Sequence, residues 1–104
     1  MTSRLSPVKI LSLTCEQSVG TRLLEVLRKN GVRSARVTEA RVEELDGDSA
    51  VDLNVTQLVI ECVISSDAVT RIVDILAAEF LPRYDVGFFI HDANVLRPEV
   101  FVKQ

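Results

Sequence analysis

Two stretches of this chain repeat one another. Thr21-Arg22-Leu23-Leu24-Glu25-Val26-Leu27 matches Thr70-Arg71-Ile72-Val73-Asp74-Ile75-Leu76 in chemical type, each residue 49 places from its counterpart. Val19, Leu23, Leu24, Val26 and Leu27 make an apolar stripe at helical spacing, and so do Val69, Ile72, Val73, Leu76, Ala77 and Phe80. An alternating apolar run precedes each stripe. In Val8–Cys15, Leu11, Leu13 and Cys15 alternate with Ile10, Ser12 and Thr14; in Gln57–Ile64, Leu58, Ile60, Cys62 and Ile64 alternate with Val59, Glu61 and Val63. Further strands are predicted after the helices, over Ser34–Val42 and Val86–His91. We read two βαβ units; chance likeness between two amphipathic helices is the alternative.

Two such units joined strand to strand give βαββαβ. Right-handed crossovers then set both helices on one face of a four-stranded antiparallel sheet, the ferredoxin-like α+β arrangement. Thr14 and Glu16 are candidate caps for the first helix, over about 17–30, and Asn30-Gly31 ends it. Ser65-Ser66-Asp67 offers a hydroxyl cap and then an acid for the second, which runs to about Phe80. Pro82 stops it, since proline disfavours helix at the preceding residue. Asn94–Phe101, interrupted by Pro98, is expected as a short C-terminal edge strand. The uncovered sheet face would carry Val59, Val63 and one of Phe88 and Phe89, enough apolar surface to predict oligomerisation.

The chain is one domain, residues 1–104, with residues 1–7 as an N-terminal tail. Arg41–Thr56 contains five acids, one glycine and no apolar periodicity, so residues 42–56 are expected as a mobile loop. A formal charge of −3 leaves no global positive field for nucleic acid, and RNA on the sheet would want exposed aromatics in a basic field. Any anion site is therefore local. Cys15 and Cys62 lie in apolar runs and are read as buried free thiols of a reducing cytosol. No signal-peptide pattern and no run near the ~18 residues of a membrane span occurs, which predicts a soluble cytoplasmic protein.

Phosphate-loop, dinucleotide, nucleophile-elbow and zinc-helix motifs are all missing from the sequence, and no catalytic residue is expected. Cys15, Cys62 and His91 could in principle bind a metal, but their spacing shows no convergence. Asp46-Gly47-Asp48 with Asp52 fails the calcium-loop template, because Ala50 and Val51 stand where a ligand and a glycine belong. Glu43 and Glu44 have nothing to desolvate them. Arg36, Arg41, Arg83 and Arg97 could gather between subunits around phosphate; plain solubilising charge is the alternative.

The element order, Val37-Thr38-Glu39 running into a long loop, and Leu58–Ile64 before a capped helix resemble the PII signal-transduction superfamily. The tail from Glu79 to Leu96 resembles its PII-like branch tied to inorganic carbon, which includes the bicarbonate-transporter regulator SbtB and the carboxysome-associated PII proteins. The resemblance implies a homotrimer with adenine nucleotide in three inter-subunit clefts and no prosthetic group. It assigns Arg36, Thr38 and Arg41 to the base of the regulatory loop and Val63 to a strand backbone meeting adenine. Tyr84, Asp85, Val86 and Gly87 fall on the turn that holds phosphate or ribose, and Arg97 falls where a terminal-segment arginine reaches phosphate. The glycine-rich turn of the main PII branch is reduced here to Gly87, a lysine before the third strand is Gln57, and the loop has no tyrosine to modify. The expected ligands are thus ADP, AMP or cyclic AMP, with ATP a further candidate and bicarbonate at the loop. The implied partner is a bicarbonate transporter or a carboxysome-associated protein. A metal-binding trimer of the related CutA type and a small ferredoxin-like enzyme are the rival readings.

Overall fold

A computed structural model describes residues 4–43, 45 and 56–103. Most of the expected acidic loop, residues 44 and 46–55, lies outside the described residues. The first strand, β1, is Ser6–Glu16 and starts inside the expected tail. Helix α1 (Gln17–Lys29) follows, then β2 (Ala35–Arg41), β3 (Thr56–Ile64), helix α2 (Val69–Ile75) and β4 (Gly87–Val95). The sheet order is β2-β3-β1-β4 with every pairing antiparallel, so the fold is the expected ferredoxin-like βαββαβ.

Alternation decides which side chains are covered. Leu11, Leu13 and Cys15 of β1 and Ile60, Cys62 and Ile64 of β3 join one buried cluster with Val19, Leu23 and Leu27 of α1 and with Ile72, Leu76 and Phe80. Both helices therefore pack on the same sheet face. Phe88 and Ile90 of β4 point to this side as well, while Phe89 stands on the opposite face at 59% exposure. Helix α1 ends as expected. Gly31 takes φ 94°, and Val32 N–H donates to Leu27 O at 3.1 Å across it, the left-handed stop that favours glycine.

The second helix is less regular than its periodicity implies. Ser65 Oγ accepts from Ala68 N–H at 3.2 Å, a 3₁₀ turn covers Ser66–Ala68, and α2 then passes into a π-helical turn over Leu76–Phe80. Leu81 N–H reaches back to Leu76 O at 2.9 Å. The helix ends where expected but by a different means. Leu81 keeps helical angles (φ −58°, ψ −34°), so Pro82 acts through its missing N–H rather than by excluding helix before it.

The terminal segment pairs less than expected. Asn94 and Val95 extend β4, and Pro98–Val100 forms a 3₁₀ turn that begins with a proline needing no N–H partner. Beyond it a single bridge joins Val102 to Val32; Arg33 N–H donates to Phe101 O at 2.8 Å and Lys103 N–H to Gly31 O at 2.6 Å. Val102 thereby packs on Val8 and Val63, with Ile10, Ala93, Val95 and Phe101 around them, on the sheet face away from the helices. Of the apolar residues expected on that open face, Val63 is covered by the chain's own C-terminal segment, Val59 is half-buried, and Phe89 stays exposed.

Candidate functional site

The open sheet face holds a cleft of about 330 Å³, lined among others by Ile10, Arg36, Glu61, Val63, His91 and Phe101. Strand pairing brings these together: Ile10 is the register partner of both Val63 and His91, and Arg36 is the partner of Glu61. Arg36 Nη1 stands 3.9 Å from Glu61 Oε1. His91 stacks on Phe89 with centroids 5.9 Å apart. The cleft thus has apolar surfaces from Ile10, Val63 and Phe101 and a charged rim from Arg36 and Glu61. That combination suits a planar heterocycle with a polar edge.

The expected site residues fall into separate groups. Arg36 and Thr38 share the open face of β2. Arg41 has the opposite parity, at the end of the strand, and pairs with Glu43. Val63 is buried in the cleft wall. One row of register partners crosses the sheet as Thr38, Val59, Thr14 and Gly87. With strands about 4.8 Å apart, Thr38 and Gly87 lie about 14 Å from each other at opposite sheet edges. Within one chain the β2 group and the Tyr84–Gly87 turn do not meet.

The turn itself is built by the end of the second helix. Tyr84 N–H donates to Phe80 O at 2.8 Å, and the two rings pack 6.2 Å apart. Tyr84 lines a cleft of about 210 Å³ with Arg22, Glu79 and Arg83. Val86 is buried in the core, so only its backbone is open to a ligand. Asp85 is exposed. A Cβ built on Gly87 meets nothing within 4 Å, so the fold of this chain leaves open room there. Arg97 is exposed, 3.5 Å from Glu99, beside an apolar groove with Leu96 and Val100. Phe101 lines both this groove and the Arg36 cleft, so the two share a wall.

The three candidate metal ligands do not converge. Cys15 and Cys62 face the helices, and His91 is on the other side of the sheet. Register separates the two thiols as well, since Cys62 stands opposite Leu11 and Cys15 opposite Leu58. Burial pushes the Cys62 thiol up to about 11 and also raises Cys15, with Glu16 adding to the latter. Both are therefore poor nucleophiles at neutral pH. Among the described residues no group of three His, Cys, Asp or Glu side chains is arranged to hold a metal. The Asp46, Asp48 and Asp52 cluster lies outside the described residues, as does Glu44.

Glu61, His91 and Phe101 in the first cleft and Arg22 in the second were not among the residues expected at the nucleotide site. Strand parity could have flagged Glu61, two places before Val63 on the same face. Arg22 offers no such mark, because its contact with Tyr84 joins residues 62 apart.

The four-stranded sheet carries two helices on one face and the Arg36 cleft on the other, in a fold the chain shares with solved PII-like proteins. No protein-family model matches the sequence, and no curated protein matches it. Solved structures do. A protein of Thermus thermophilus described as PII-like and signalling superposes with a TM-score of 0.78 at 28% identity, covering 94% of this chain and 98% of that one. CPII from Thiomonas intermedia, solved bound to ADP and bicarbonate, superposes with a TM-score of 0.80 at 19% identity, covering 96% and 99%. The same protein, described as a nitrogen regulatory PII-like protein and bound to ADP, AMP and bicarbonate, gives 0.77 at 18%, covering 96% and 98%. The chain belongs to the PII-like superfamily.

Proposed function

We propose that this chain is a non-enzymatic PII-like regulator of the inorganic-carbon branch. It assembles as a cytoplasmic homotrimer and binds ADP, AMP or cyclic AMP, with ATP a further candidate, in clefts between subunits, with bicarbonate as co-ligand. Arg36, Thr38 and Val63 serve one wall of each cleft, and Arg41, on the opposite face at the end of β2, serves the base of residues 42–56. Tyr84, Asp85, the Val86 backbone and Gly87 serve the other, and Arg97 joins from the C-terminal segment, beyond the opposite end of β4. Bound nucleotide biases the conformation of residues 42–56 and so controls contact with a bicarbonate transporter or a carboxysome-associated protein. Such control requires only that the ligand bind one state of that segment better than another.

The observation that carries this reading is the cleft beside Arg36 and Val63, whose apolar walls and single guanidinium suit a purine and its phosphate. Two further facts support it. Thr38 on β2 and Gly87 on β4 lie at opposite sheet edges, so a site that uses both needs the β2 edge of one protomer against the β4 edge of another. CPII, which shares the fold, was solved with ADP and bicarbonate.

A thermal-shift panel of ADP, AMP, cyclic AMP and ATP, each with and without bicarbonate, tests it. Ligand at a hundred times its Kd adds about 2.7 kcal/mol, which is roughly 10 °C or more for a domain of this size. No shift with any of the four nucleotides would refute the reading. Arg97→Ala should lower nucleotide affinity while sedimentation still reports a trimer.

A further inference from the structure

Arg22 and Arg71 are counterparts in the repeat, and each reaches across to the far end of the other helix. Arg71 Nε stands 3.4 Å from Asn30 Oδ1, at the end of α1, and its Nη1 donates to Asp67 O at 3.1 Å. Arg22 Nη1 donates to the hydroxyl of Tyr84, beyond the end of the second helix, and its guanidinium carbon lies 5.4 Å from the centre of the Tyr84 ring. The ends they grip differ. At Asn30 the chain makes a tight glycine stop, with backbone bonds to Val26, Leu27 and Arg28. At Tyr84 the chain has left a π-helical turn and is entering an exposed turn. Among the described residues, Arg22 supplies the one side-chain hydrogen bond that reaches residues 81–86.

We propose that Arg22 is a positioning residue for nucleotide binding, a role that rests on the function proposed above. It acts through Tyr84. It clamps Tyr84 by hydroxyl and by ring, and so holds the Tyr84–Gly87 turn in the form that meets the nucleotide. Phe80 packs on the same ring, 6.2 Å away, so Arg22 and Phe80 hold it together. Lysine can keep the cation over the ring but not the planar fork, and phenylalanine in place of Tyr84 keeps the ring but not the hydroxyl.

The sequence supplies its own probe. Tyr84 is the only tyrosine and there is no tryptophan, so intrinsic fluorescence anisotropy reports this residue alone. ADP is titrated by calorimetry into the full chain as wild type, Arg22→Ala, Arg22→Lys, Tyr84→Phe and Arg71→Ala, with tyrosine anisotropy read on those that keep Tyr84. Arg22→Ala is expected to weaken ADP about tenfold and to lower the anisotropy; Arg22→Lys recovers binding to within about threefold of wild type. Arg71→Ala removes the equivalent contact of the other half and is expected to leave both ADP affinity and anisotropy unchanged. Tyr84→Phe leaves α1 untouched and carries the test should Arg22→Ala not fold; about threefold weakening is expected, and none overturns the proposal. ADP binding to Arg22→Ala within twofold of wild type overturns it, and so does equal weakening by Arg71→Ala. If wild type itself binds none of ADP, AMP, cyclic AMP and ATP, the proposed function falls and this role falls with it. If wild type binds and Arg22→Ala binds equally well, only the role of Arg22 falls.

Discussion

Val19, Leu23 and Leu27 in the first half and Ala68, Ile72 and Leu76 in the second stand 49 residues apart, and all six are buried. The strands before them agree in the same way: Leu11, Leu13 and Cys15 correspond to Ile60, Cys62 and Ile64, and these too are core. The ends of the halves do not agree. Helix α1 is one regular helix closed by Gly31, whereas the second helix is a 3₁₀ turn, an α segment and a π turn. The inner positions answer to one shared core and are held alike. The ends answer to the segments they lead into, a sheet strand in one case and the Tyr84–Gly87 turn in the other.

The largest test of this comparison lies inside the core. Leu23 and Ile72 are both fully buried, at 0% exposure. Leu23→Ala and Ile72→Ala should each cost about 3 kcal/mol, since each removes several buried carbons from a packed site. Urea unfolding of the two variants reads the difference directly. A cost near 3 kcal/mol at one position and below about 1 at the other would break the equivalence of the halves.

The thiols give a sharper contrast, because each half has an aliphatic residue where the other has cysteine: Leu13 answers to Cys62, and Ile64 to Cys15. Burial raises Cys62 from its ordinary value of 9.0 to about 11. As pH climbs from 9 towards 11, the unfolded chain loses this proton while the native chain keeps it. The unfolded state then binds fewer protons, so stability falls as pH rises. The loss from this one group is at most about 3 kcal/mol, two units at roughly 1.4 each. Urea midpoints at pH 8 and pH 10.5 should converge for wild type and Cys62→Ala as the alkaline penalty on wild type develops. Parallel pH slopes for the two proteins would mean that Cys62 is not held protonated by the core.

Much of the fold was legible from pattern, because periods of two and 3.6 are local properties. The four strands and two helices follow from them, and so do the faces of Leu11, Leu13, Leu23 and Ile72. The site was legible only in pieces. Nothing local states which β3 residue stands opposite Arg36, since the connection between β2 and β3 is long and carries no register marker. Glu61 beside Arg36, and His91 across Ile10 from Val63, appear only once the pairing is known. Val86 was expected at the site on its place in a motif, yet its side chain fills core space beneath the turn. The tail was read as a strand because its residues suit one, but Pro98 removes an N–H and starts a 3₁₀ turn instead. Phe101 reaches its place between two clefts only because that turn redirects the chain.

The smallest test concerns the helix starts. Ser65 accepts a hydrogen bond from Ala68 N–H, but Glu16, at the matching place before α1, makes no side-chain cap bond. The difference reflects the load on each start. Helix α1 continues straight from β1 with no residue between Glu16 and Gln17, so the sheet already fixes its first turn. The second helix begins with a 3₁₀ turn, whose hydrogen bonds are poorer and leave a larger share to the cap. Ser65→Ala should therefore cost about 1 kcal/mol, and Glu16→Ala close to nothing. Hydrogen exchange adds a local reading. The Ala68 amide should lose protection in Ser65→Ala, while the amides of α1 keep theirs in Glu16→Ala. Equal costs for the two substitutions would show that the helix starts, unlike the helix ends, follow the repeat.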